Sequence, residues 1–169
     1  MMGGWLGAAA LAVMALAATA CGTPASGIPE EPVCATPAPL PTSRTTQGAV
    51  SVQAYFSRIR NGAGALYSAR EELRAKYAED TFYRREEFRP DFIAYADETI
   101  CTARGLQELS APAASLAEFD QKFDAALAAL IEHTAAGREA VRMRNVSDYR
   151  EWFGGVDEKV AAVVATSRR

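Results

Sequence analysis

Between residues 49 and 169 apolar side chains recur every three or four positions, the spacing that lines one face of a helix. The pattern predicts four helices. The first covers about 50–78, with Val52, Phe56, Ile59, Ala63, Leu66, Leu73 and Tyr77 in alternating steps of four and three and Arg70 taking one turn of the stripe. Gly62 and Gly64 interrupt it, at about 1 kcal/mol each relative to Ala, and a close approach by another helix or a kink would account for them. The second begins near Pro90, suited to a first helical position, with Phe92, Ala96, Cys101, Ala103 and Leu106 inward and Leu109 at its end. The third opens on Ser115-Leu116-Ala117-Glu118, which has the form of a capping box. Leu116, Phe119, Phe123, Leu127, Leu130, Thr134, Gly137 and Val141 make its stripe, and Arg138, Arg142 and Arg144 complement the dipole at its C-terminal end. Ser147 or Asp148 caps the fourth, whose apolar face is Tyr149, Trp152, Phe153, Val156, Val160 and Val163.

No stretch of this region alternates apolar and polar residues as a strand would. The connections around Pro112 and around 144–147 are short, so the helices they join are antiparallel neighbours. The simplest fold that buries four single stripes is an all-α, up-and-down four-helix bundle over 49–169.

The start of the chain has another character. Residues 5–20 form an uncharged run rich in Ala and Leu, shorter than a membrane span of about 20 residues but matched to a signal-peptide core. It ends Leu16-Ala17-Ala18-Thr19-Ala20-Cys21, with small residues at Ala18 and Ala20 directly before the cysteine. This pattern resembles the lipobox of bacterial lipoproteins, with Ala18 where Leu is commoner and no Lys or Arg ahead of the apolar run. The resemblance implies that 1–20 is a type II signal peptide. It also implies that Cys21 becomes the mature N-terminus, carrying palmitate-type acyl chains. Residues 21–48 would then be lipid anchor and tether, and the protein would sit in the cell membrane or outer membrane, on the extracytoplasmic side.

Residues 22–48 hold six of the eight prolines and have no helical period. Pro-rich chain favours extended polyproline II at about 3.1 Å per residue, which would let a folded body stand off a membrane; a coil wrapped on the domain is the alternative. Cysteine usage bears on the choice. With Cys21 given to lipid, Cys34 and Cys101 are left, and two leftover cysteines in an oxidising compartment pair. A bridge between them would pin the middle of the Pro-rich segment to the body, and the chain-entropy model assigns it about 4 kcal/mol.

Composition removes several functions. A net charge of −3 and a pI near 5.3 argue against a nucleic-acid partner, which needs surplus positive charge. His133 is the only histidine and lacks the Glu-x-x-His partners of a di-iron bundle, so no metal and no cofactor is expected. Carboxylates at Glu71, Glu72, Asp97 and Glu98 read as helix surface, and no Gly-x-Ser-x-Gly or phosphate-cradling loop occurs, so no catalytic residue is assigned.

The most unusual stretch is Phe82-Tyr83-Arg84-Arg85-Glu86-Glu87-Phe88-Arg89-Pro90, where rings and arginines share the link between helices one and two. Arginine forks suit carboxylate or phosphate, and aromatic faces suit sugars or guanidinium stacking. Tyr83, Arg84, Arg85 and Arg89 are therefore the candidate partner-binding residues, against the alternative of a short helix closing one end of the bundle with its arginines paired. The expectation is a non-catalytic interaction module for an envelope protein or glycan. A carrier or sensor of a small ligand held between the helices, in space left by Gly62, Gly64 and Gly137, is the second reading.

Overall fold

The computed structural model describes residues 27–34, 51–79, 81–144 and 146–168, the side chains of 146–150 excepted. Cys21, the expected export signal at 1–20 and residues 35–48 of the expected tether lie outside the described residues. The described residues are all-α: α1 (Val52–Lys76), α2 (Phe88–Gln107), α3 (Ala117–Arg142) and α4 (Val146–Ser167), with single 3-10 turns at Phe82–Arg84 and Ala114–Leu116. α1 packs on α2 and α4, and α3 packs on the same two, so the helices close a ring. With short links between consecutive helices this is the up-and-down four-helix bundle that the periodicity predicts. No helix among the described residues is long and apolar enough to cross a membrane.

The stripes meet in one core that includes Ile59, Leu66, Phe92, Ala96, Ile100, Phe123, Leu127, Leu130, Val156, Val160 and Val163. Ser51 caps α1, its Oγ accepting from the Ala54 N–H at 3.1 Å. At the start of α1 the stripe is displaced by one residue: Tyr55 is buried, while Val52 is 46% exposed. Tyr55 takes the inward place because its hydroxyl donates to Asp120 across the bundle and its ring meets Phe119 edge-on at 6.3 Å. These partners satisfy the polar tip that burial would otherwise strand.

α2 begins two residues before Pro90, which still falls in the first turn, where a missing N–H costs no intrahelical bond. Its buried face is wider than predicted, adding Phe88, Ile93, Tyr95, Thr99 and Ile100, since α2 is covered by α1, by α3 and by residues 27–34. Cys101 is half-buried rather than inward, turned toward Cys34.

The capping box at α3 does not form. Ser115 is exposed within the 3-10 turn, Leu116 occupies the cap position without a side-chain bond, and Glu118 instead holds Lys122 one turn on at 2.6 Å. The 3-10 turn takes up the entry of the chain itself, through the Leu116 N–H to Ala113 O bond at 3.0 Å.

Gly62 marks a close approach. A Cβ there would lie 2.5 Å from Leu106 Cδ2, so α1 meets α2 through the missing side chain. A Cβ on Gly137 would lie 3.2 Å from both Phe92 and Trp152, whereas Gly64 faces open space. The room left by Gly62 and Gly137 is thus occupied by neighbouring side chains.

Arg70 keeps its turn of the α1 stripe and is 3% exposed. Its Nε pairs with Asp157 at 2.6 Å, its Nη2 donates to Phe153 O at 3.1 Å, and its guanidinium lies 4.5 Å over the Phe153 ring. A cation can occupy a core position on these terms because a carboxylate, a carbonyl dipole and an aromatic face compensate it, while Nη1 is buried without a hydrogen-bond partner among the described residues.

Candidate functional site

The link between α1 and α2 folds over one end of the bundle. Phe82 points inward, its ring 4.5 Å from Phe153 and 4.8 Å from Phe88. Phe88 in turn meets Tyr77 edge-on at 5.1 Å and Phe92 at 5.6 Å. Most rings of the singled-out stretch therefore belong to the core, and such offset and edge-on pairs add to the burial itself.

The arginines divide. Arg89 donates from Nε to Val141 O and from Nη2 to Arg142 O, each at 3.1 Å, so it closes the C-terminal end of α3 from a neighbouring helix. Four carbonyls lack partners at a helix C-terminus and the dipole there favours a cation, which is what Arg89 supplies. Arg85 plays the same part for α1, donating to Lys76 O at 3.2 Å while lying 5.3 Å from the Tyr77 ring centre. Arg84 is exposed and stacks at 5.7 Å on Tyr83, which is half-buried edge-on against Phe82. Of the four candidate residues, Tyr83 and Arg84 form an outward pair, and Arg85 and Arg89 are tied to helix ends.

Asp91 organises the same end, accepting from Lys76 and, at 2.5 Å, from the Tyr77 hydroxyl. Those two bonds hold its carboxyl below the usual range. Burial, and next the bond to Asp91, push the Tyr77 phenol above its ordinary value.

A second constellation centres on Arg138 and Asp97, which the spacing along the chain places as a helix-dipole cation and a surface carboxylate. Arg138, 3% exposed, pairs through Nε with Asp97 at 2.5 Å. Its Nη1 donates to Glu30 O at 2.9 Å and its Nη2 to Glu31 O at 3.0 Å. Below these contacts Cys34 and Cys101 are joined by a disulfide, their Cα atoms 5.5 Å apart. Residues 27–34 thus lie along the bundle as a strap, with Ile28 packed against the core. Arg138 stands one turn after Thr134, on the inward side of α3. That register is the signal in the sequence for an interior Arg138, while its place near the C-terminal end of α3 points equally to dipole compensation.

Asp97 is accordingly a structural carboxylate, while Glu71, Glu72 and Glu98 are exposed on their helices. His133 lies with Nε2 3.1 Å from Trp152 O, its ring against Gly155, where a Cβ would fall 2.7 Å away. Among the described residues no three His, Cys, Asp or Glu side chains converge as metal ligands.

Comparison with known proteins gives no match. No family model, no curated protein and no solved structure is similar to this chain at a significant level.

Proposed function

We propose that this chain is an exported lipoprotein, held at a membrane by an acylated Cys21. Its four-helix bundle serves as a non-catalytic interaction module for an envelope component, protein or glycan. The Cys34–Cys101 disulfide carries the reading, because such bonds persist in oxidising compartments outside the cytoplasm. The lipobox-like ending at Ala18, Ala20 and Cys21 supports it independently. An interaction role also accords with where the charged groups are spent: Arg70, Arg85, Arg89, Arg138, Asp91 and Asp97 all hold parts of the fold together.

The test is native mass spectrometry of the full chain, extracted mildly from its own membrane with and without prior cross-linking. The expected species is the lipidated chain with Cys34 and Cys101 bonded, and a protein or glycan adduct after cross-linking. A small molecule retained by the uncross-linked protein would overturn the interaction reading in favour of a carrier.

A further inference from the structure

We infer that the end of the bundle bearing Tyr83, Arg84, Met143 and Arg144 rests on the phosphate-bearing headgroups of the membrane that anchors the chain. This builds on the acylation of Cys21 proposed above and adds which end of the fold meets the lipid.

Covalent reach sets the geometry. Six Cα–Cα steps separate Cys21 from Gly27. A fully extended chain spans at most about 3.3–3.6 Å per residue, so Cys21 lies within about 20 Å of Gly27 by any path. Gly27 has a defined place, since with Ile28 and Pro29 it lines one cavity with Glu86, Arg89 and Pro90 at the start of α2. Arg89 touches the last carbonyls of α3, so the start of α2, the end of α3 and the 3-10 turn at Phe82–Arg84 belong to one end of the bundle. The strap cannot slide toward the other end, being fixed by the Arg138 bonds to Glu30 and Glu31 and by the disulfide. Ser115 stands at the opposite end, beyond the 26 residues of α3, a length of about 39 Å at about 1.5 Å per residue.

The outward chemistry of the near end suits a headgroup layer. Arg84 and Arg144 are exposed there, alongside the carboxylates Glu79, Glu86 and Glu87, and guanidinium forks match the paired oxygens of a phosphate. Met143, 65% exposed, and the Tyr83 ring add apolar surface of the kind that settles at the boundary between headgroups and acyl chains. Covalent reach rather than net charge selects this end, since exposed carboxylates occur on the α1–α2 side (Glu71, Glu72 and Glu98) as well as at the near end. With the near end occupied, the protein or glycan partner meets the flanks and the far end.

The experiment uses the full lipidated chain in vesicles of phosphatidylethanolamine and phosphatidylglycerol. One fluorophore is placed on Arg84→Cys, Met143→Cys or Ser115→Cys, all exposed positions, and headgroup-labelled lipid is the quencher. Quenching several-fold greater at 84 and 143 than at 115 is expected. Equal quenching at the three sites, or more at 115, with acylated Cys21 confirmed by mass, overturns the orientation and leaves the anchor standing. A mass without lipid on Cys21 removes the anchor, and the orientation with it. A photo-cross-linker at position 84 that marks an envelope protein or glycan instead of lipid overturns the lipid assignment.

Discussion

Arginine is where single residues decide most in this protein, because the same side chain does three different things. Arg84 faces outward, Arg85 and Arg89 close helix ends, and Arg70 and Arg138 sit in the interior with partners. Arg89→Ala should therefore cost about 1–2 kcal/mol through loss of its bonds to Arg142 O and to Val141 O, the latter still accepting from the Arg144 N–H, whereas Arg84→Ala should stay within about 0.5 kcal/mol. Urea denaturation followed by circular dichroism separates the two. Among the described residues Arg144 is the non-glycine residue with positive φ, at 58°, two residues after α3. That conformation strains a residue with a Cβ and suits glycine, so Arg144→Gly should raise stability by about 0.5–1 kcal/mol in the same assay. A loss of stability would mean that the Arg144 side chain does more than occupy the turn.

Among the elements, the strap at 27–34 has no counterpart in the helical pattern, and two locks of different chemistry hold it. Cys101→Ser should cost about 2–4 kcal/mol, since a bridge closing a sequence separation of 67 restrains the unfolded chain strongly. Arg138→Met removes the donors to Glu30 O and Glu31 O and leaves Asp97, itself 14% exposed, without its cation. Limited proteolysis should find residues 27–34 cleaved quickly only when both locks are open. Fast cleavage of either single variant would show that one lock alone holds the strap. Gly62→Ala probes the α1–α2 contact: the added methyl meets Leu106, and a loss of about 1–3 kcal/mol is expected from overpacking.

The molecule as a whole should lose stability at both ends of the pH scale. Asp91, held by Lys76 and Tyr77, and Glu139, held by Arg142, have folded values below the ordinary carboxylate range. Their contribution is complete above the unfolded value near 4 and disappears as pH falls through the folded ones. The phenols run the other way. Burial pushes Tyr95 up to about 12 and raises Tyr55 and Tyr77 as well. The folded state keeps these protons while the unfolded chain releases them near pH 10, so stability is full below that point and falls as pH rises toward the folded values. Urea midpoints between pH 3 and 11 should trace this dome, and Tyr77→Phe should flatten its alkaline side. An alkaline limb unchanged in Tyr77→Phe would assign that loss to other groups.

Periodicity was enough to place four helices, most of the core and the bundle, because each amphipathic stripe is written within one helix and must be buried against another. Cysteine count, read with the expected export signal, was enough to pair Cys34 with Cys101. Other features depend on which helices become neighbours, and no local window contains that. Arg89 reads as a free cation until α3 ends beside it, and Arg138 reads as dipole compensation until Asp97 and the Glu30 and Glu31 carbonyls surround it. Ser115 and Glu118 spell a capping box, yet the preceding 3-10 turn brings the chain into α3 another way. Spacing along the chain determined what is apolar and where it repeats. The tertiary structure alone decided which polar groups are partnered, since a hydrogen bond or ion pair needs both members within reach, and only the packed bundle brings them there.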